Sequence, residues 1–218
     1  MQLSDAISFV RARLDEIAFN NDDMILAAED DRNLDTTIER LLPEAVEVVL
    51  RSAPEGLLQP QYEVDTTASQ LPTFVDHIES DSTEQTLVVE LNETAKFMRI
   101  VYFKAEDSDV YLTKAAPFDS PLARQQSNPY TKGTPDLPAL VQRNLIGGHV
   151  LLTYYGTETD EAMLGFISKP ELTQQGQLFC PVGLESAALN ELTAKVLEAY
   201  NDQRSQLFHQ KANGYLGI

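Results

Sequence analysis

Three histidines, one cysteine and one acidic run carry the side chains of this sequence best suited to chemistry. His77, His149 and His209 lie in three different segments, and no two share the i, i+4 spacing by which helical imidazoles hold a metal. A lone histidine without sequence partners reads as a surface or structural residue, so no His-based metal site is assigned. Cys180 stands between Phe179 and Pro181, an apolar setting in which a thiol behaves as a small hydrophobe. A nucleophilic role would need a nearby base, which the sequence does not place. As the only cysteine, it also excludes an intramolecular disulfide and any Cys-rich zinc site.

The run Glu29, Asp30, Asp31, Asn33, Asp35 invites a calcium reading, because hard cations gather carboxylate oxygens. Counted as an EF-hand loop from Asp31, it has Thr36 at the glycine position and Leu42 at the final glutamate position. The match fails where geometry matters, and capping by Asp35 with solvation of the rest explains the run. Phosphate-cradling glycine loops, G-x-S-x-G and H-E-x-x-H are all missing. The adjacent pair Gly147-Gly148 leads into a strand and reads as a turn or bulge. No catalytic, cofactor-binding or metal-ligating residue is assigned, and the expectation is a protein that is not an enzyme.

The elements that would position any site follow from periodicity. Ser4 is an N-cap candidate, and Ile7, Val10, Leu14 and Ile17 form an apolar stripe on a helix from about 4 to 18. Asn20-Asn21-Asp22-Asp23 breaks the pattern ahead of a short helix carrying Met24 to Ala27. Asp35 then caps a helix reaching Ser52, with Pro43 expected to kink or divide it. From Leu57 to Glu84 polar residues dominate, which reads as a linker or excursion with at most a short strand or turn. Thr86 to Leu91 and Phe97 to Phe103 read as a hairpin, Asp109 to Leu112 as a further strand, and Leu140 to Gln142, His149 to Tyr155 and Met163 to Ile167 as three more. A polar turn at 157 to 160 bridges the last two. Five prolines between Ala115 and Pro138 mark a long loop, and loops of that length are usually functional. The last helix spans about Glu185 to Lys211, with Gly183 at its start and Gly214 beyond its end.

The expected fold is α+β: N-terminal amphipathic helices, a central antiparallel β-sheet or small sandwich with a long Pro-rich loop, and a long C-terminal helix. The expected regions are 1–58 (helical), 59–84 (linker or excursion), 85–182 (β, with loop 115–138) and 183–218 (C-terminal helix and tail), joined as one composite domain.

The 218 residues, 43% hydrophobic, suffice for a large folded domain and exclude disorder throughout. Neither a signal peptide nor a membrane span is expected, since no basic region precedes an apolar core and apolar runs are short. With 34 acidic and 16 basic residues the net charge of −18 repels phosphate, so neither duplex DNA nor an anionic membrane suits the average surface. The charge is uneven. Between Ser52 and Ala95 nine acids meet no base, whereas from Lys96 to Val150 seven bases meet five acids. The plain reading is a solvated acidic face beside a near-neutral sheet. The sharper one is a charge dipole that lets copies stack in a ring.

The two amphipathic helices flanking Asn20-Asn21-Asp22-Asp23 within residues 1–58 resemble the start of head-to-tail adaptor proteins of tailed phages. Together with the loop Asn128-Pro129-Tyr130-Thr131-Lys132-Gly133-Thr134-Pro135, they are also similar to ring-forming connector proteins of crAss-like phages, which infect gut Bacteroidales. The resemblance implies a virion structural protein, assembled in the host cytoplasm, that forms a dodecameric ring beneath the portal protein. Other tail or connector proteins would contact it, and DNA would pass without sequence-specific binding. No cofactor and no membrane are expected. A different class remains open: a cytoplasmic acidic binding module, mimicking nucleic acid or acting against the host. A metal-dependent hydrolase using Asp or Glu is a third.

Overall fold

A computed structural model describes residues 1–19, 31–106, 108–156, 159 and 161–218, without the side chains of 15–19 and 31–33. The expected helix at Met24 to Ala27 and most of the acidic run and of the turn at 157 to 160 lie outside the described residues. The chain divides into two compact units, one formed by Met1–Leu58 with Pro170–Ile218 and the other by Gln59–Lys169.

The first unit is helical. Helices α1 (Leu3–Phe19) and α2 (Asp31–Ser52) are amphipathic: on α1 Val10 and Leu14 of the expected stripe are buried, with Ala6 beside them rather than the half-buried Ile7, and α2 buries Ile38, Leu42, Ala45, Val46 and Val49. Ser4 is not the cap of α1. The helix starts one residue earlier, Ala6 N–H donates to the Gln2 carbonyl, and Leu3 N–H to Gly176 O at 2.8 Å, so the entry is fixed by backbone pairing. Asp35 does not cap α2 either. It lies inside the helix and accepts from Arg11 Nε and Nη2 at 3.0 and 2.9 Å, tying α1 to α2. Pro43 does not divide α2, because the buried residues on both sides of it outweigh the cost of one lost backbone bond, about 3 kcal/mol.

The C-terminal helical segment begins at Glu185 as expected, with α4 (Glu185–Ala199) at the centre of the unit against α1, α2 and the following helix. The continuous helix expected to Lys211 is instead interrupted. Asn201 takes φ 58°, Asp202 N–H returns to Leu197 O at 2.9 Å, and Asp202 accepts from Arg204 Nε at 2.8 Å. A second helix, α5 (Ser205–Leu216), follows, ended by Gly217 at φ 74° rather than by Gly214, which lies within it. Asn201 tolerates the left-handed conformation that ends α4, and it broke the pattern without a glycine to announce it.

Among its described residues the second unit holds eight strands in two sheets. The three-stranded sheet runs β1 (Tyr62–Asp65), β8 (Ala162–Ser168), β4 (Phe97–Ala105). The five-stranded sheet runs β2 (Val75–Asp81), β3 (Thr86–Leu91), β7 (Val150–Tyr155), β6 (Ala139–Asn144), β5 (Ala116–Pro117), with only the β5–β6 pair parallel. Leu87, Val89, Leu91, Leu152 and Tyr154 from one sheet and Phe103, Leu164 and Phe166 from the other share one core, which makes the unit a small sandwich. Gly165 of β8 is required by close approach: a Cβ there would meet the ring of Tyr102, its partner on β4, at 2.4 Å. Tyr102 crosses over Gly165 to donate to Glu63 Oε1 on β1 at 2.7 Å, and burial, then that carboxylate, push its phenol up to about 12.

Several expectations change here. The segment 59–84 contributes β1 and β2 to the sheets; β2 pairs with β3, and Asp81 caps their turn by accepting from Thr83 and Glu84 N–H. Its polar composition follows from its place at a sheet edge, where one face and one backbone side meet water. Strands β3 and β4 do not form a hairpin. Asn92 accepts from Thr94 N–H, Lys96 turns the chain at φ 45°, and β4 enters the other sheet. Strands β7 and β8 also lie in different sheets. Asp109 to Leu112 supplies a single bridge, Leu112 to Phe103.

Candidate functional site

The Pro-rich passage expected as a loop is tied down. Ser120 caps the short helix α3 (Pro121–Gln125), Phe118 N–H donates to Gln142 O, and Thr134 bridges Leu137. The anchor is Gln126, almost fully buried, whose amide donates to Leu122 O at 2.9 Å and accepts from Gly133 N–H at 2.8 Å. Gly133 is pressed onto the end of β7, where an added Cβ would lie 2.5 Å from Tyr155 O. Lys132 bonds the Glu84 carboxylate at 2.9 Å and lies over the Tyr155 ring. Asn128 closes the tip by accepting from Tyr130 N–H at 3.0 Å. On this fixed backbone Tyr130 is 95% exposed and Leu137 78%, and Phe118 and Leu122 also face solvent. Arg143 lies over the Phe118 ring, 4.6 Å from its centroid.

A second feature lies at the β2 edge of the five-stranded sheet. Register shifts between Val75 and His77, so Asp76 is the extra residue of a bulge, a device that re-aims a side chain. Glu90 stands on the outward face of β3, between the inward Val89 and Leu91. Gly147 and Gly148, at φ 85° and 87°, make the turn the sequence suggests and deliver His149 immediately before β7. Its Nδ1 lies 3.2 Å from Glu90 Oε1 and 3.4 Å from Asp76 Oδ2, and its Nε2 lies 3.0 Å from Glu93 Oε2. Asn92 Nδ2 donates to the other Asp76 oxygen at 2.7 Å. Three carboxylates from three separate segments thus surround one imidazole.

No protein-family model and no curated protein matches the chain. Its chemistry is therefore read from the geometry alone.

The other candidates stay apart. His77 lies on exposed β2 near Glu79 at 3.4 Å. His209 on α5 sits between Glu191 and Glu198 of α4, one carboxylate to each ring nitrogen at 2.8 Å. Burial opposes its charged form, but the bonds to Glu198 and Glu191 outweigh that and raise its pKa. Cys180 is buried, and burial, then the charge of Glu185, push its thiol up to about 12, which disfavours the thiolate form. An open depression of about 250 Å³ beside Asp65, Lys104 and Glu161 holds no histidine or cysteine.

The missed residues are Asp76, Glu90 and Glu93, which the sequence gives only as members of an acidic stretch. The one signal pointing there was the glycine pair preceding His149.

Proposed function

We propose that the protein is a non-enzymatic virion component, a head-to-tail connector whose copies close a ring beneath the portal around the DNA channel. What supports this most is the anchored loop that holds Phe118, Leu122, Tyr130 and Leu137 in solvent. A loop pinned by a buried glutamine and a close-packed glycine has less backbone entropy to lose on docking. The resemblance of residues 1–58 and of the tip Asn128 to Pro135 to phage connectors points the same way. An acidic lining repels the phosphate backbone and lets DNA slide. Among the described residues no helix is long and apolar enough to cross a membrane.

The test is co-elution of the purified chain with a portal protein encoded in the same genome. Tyr130→Asp is expected to weaken the complex about thirtyfold, in line with loss of a central aromatic anchor. Failure of the parent chain to bind portal protein would count against the proposal. The acid-rich, base-free stretch from Ser52 to Ala95 favours a second reading, an acidic module that occupies basic sites of nucleic-acid-binding enzymes. Enrichment of such enzymes from host lysate, without portal binding, would select it.

A further inference from the structure

The side chains around His149 are arranged for a ligand that the ring alone does not supply. If the cluster held only an imidazolium, each carboxylate would be expected at the distance of a charge-assisted hydrogen bond, about 2.7–2.9 Å. His209 has that geometry, with 2.8 Å at both nitrogens. At His149 two carboxylates share the single nitrogen Nδ1, at 3.2 and 3.4 Å, so one proton is divided between two acceptors and each contact is longer than at His209. Among the described residues Asp76, Glu90 and Glu93 pair with no lysine or arginine, so a protonated ring would still leave the four groups two negative charges in excess.

We propose that Asp76, Glu90 and His149 bind one divalent ion of the zinc class through Asp76 Oδ2, Glu90 Oε1 and His149 Nδ1. Ligands about 2.1 Å from a zinc ion stand roughly 3.0–3.4 Å from each other, octahedral or tetrahedral. The two nitrogen-to-oxygen separations fall in that interval, and all three donor atoms lie within 4.8 Å of one another. An imidazole with two carboxylates selects zinc-like ions over magnesium or calcium, which prefer oxygen alone. The surrounding groups complete the arrangement. Glu93 Oε2 lies 3.0 Å from Nε2, where it would accept from an Nε2–H once Nδ1 coordinates the ion, and Asn92 holds one Asp76 oxygen so that the other faces the ring. The half-exposed site leaves water to fill the remaining coordination positions. The ion would pin the edge strand β2, across β3, to the turn before β7. The inference is independent of the connector reading.

The experiment is calorimetric titration of the chelator-treated full chain with zinc chloride, and separately with magnesium chloride. One equivalent of zinc is expected, with affinity reduced at least about tenfold in His149→Ala and in Asp76→Asn and unchanged in Glu79→Gln, which alters the same strand outside the cluster. Because His149→Ala could disturb the turn, the ¹⁵N shifts of the parent protein's histidines give a second reading: zinc should move Nδ1 of His149 and leave both nitrogens of His209 in place. No saturable zinc uptake, uptake equal in all four chains, a preference for magnesium, or an unmoved His149 signal would each overturn the assignment.

Discussion

His149 and His209 are each enclosed by carboxylates, yet the two enclosures are built in opposite ways. Around His209 both carboxylates come from one helix, two turns apart, and each takes one ring nitrogen at hydrogen-bond distance. Around His149 the carboxylates come from a bulge, a strand and a 3-10 turn, and two of them crowd one nitrogen. A helix spaces its acids so that an imidazolium satisfies them singly, whereas strand register brings acids together on one face irrespective of their distance in sequence. The first arrangement is a clasp between α4 and α5; the second is a set of donors converging on a point.

The largest effect that sharpens this contrast is expected at Gly148. Its φ of 87° is strained for a β-branched residue, although a Cβ there would only touch Glu93, at 3.4 Å. Gly148→Val should cost about 2 kcal/mol in denaturant unfolding, and zinc affinity should fall with it. An unchanged unfolding midpoint would show that the turn does not position His149. Asn92→Ala removes the bonds to Asp76, Thr73 O and Thr94 N–H and should cost about 1–2 kcal/mol, read in the same way. The glycine near His209 should behave oppositely. Gly214 lies inside α5 with open space around its Cβ position, so Gly214→Ala should add about 0.5–1 kcal/mol.

The smallest effect concerns pH. The folded pKa of His209 is raised, so its contribution is fully present below the unfolded value near 6.5 and is lost as pH rises through the folded value. A neutral ring carries one proton for two carboxylates, and Glu191 or Glu198 then loses its donor. The parent chain should therefore lose a few tenths of a kcal/mol relative to His209→Gln between pH 6 and pH 8, the size of a largely solvated pair. Parallel stability profiles for the two chains would remove the clasp from the account.

What could be read from the sequence were the elements whose signal is local. The stripes of α1 and α2, the start of α4 at Glu185, five of the eight strands and the turn at Gly147-Gly148 follow from spacing and turn residues. What could not be read was pairing. Thr86 to Leu91 and Phe97 to Phe103 look like a hairpin because each is β-branched and the gap is short, yet Asn92 and Lys96 turn the chain into another sheet. Strand β2 hid behind polar residues because it lies at an edge. Asp35 looked like a cap because capping is its commonest use, while its partner Arg11 is twenty-four positions away. The cluster at His149 was invisible for the same reason, since Glu90 lies fifty-nine positions from the ring it faces. Register alone joins them.

The loop with Tyr130 at its tip carries the functional proposal, and its most direct test is the mass of the purified protein in solution, alone and then with portal protein from the same genome. The account predicts a closed ring of copies, or a portal-bound complex with one copy per portal subunit. A monomer under both conditions would contradict it.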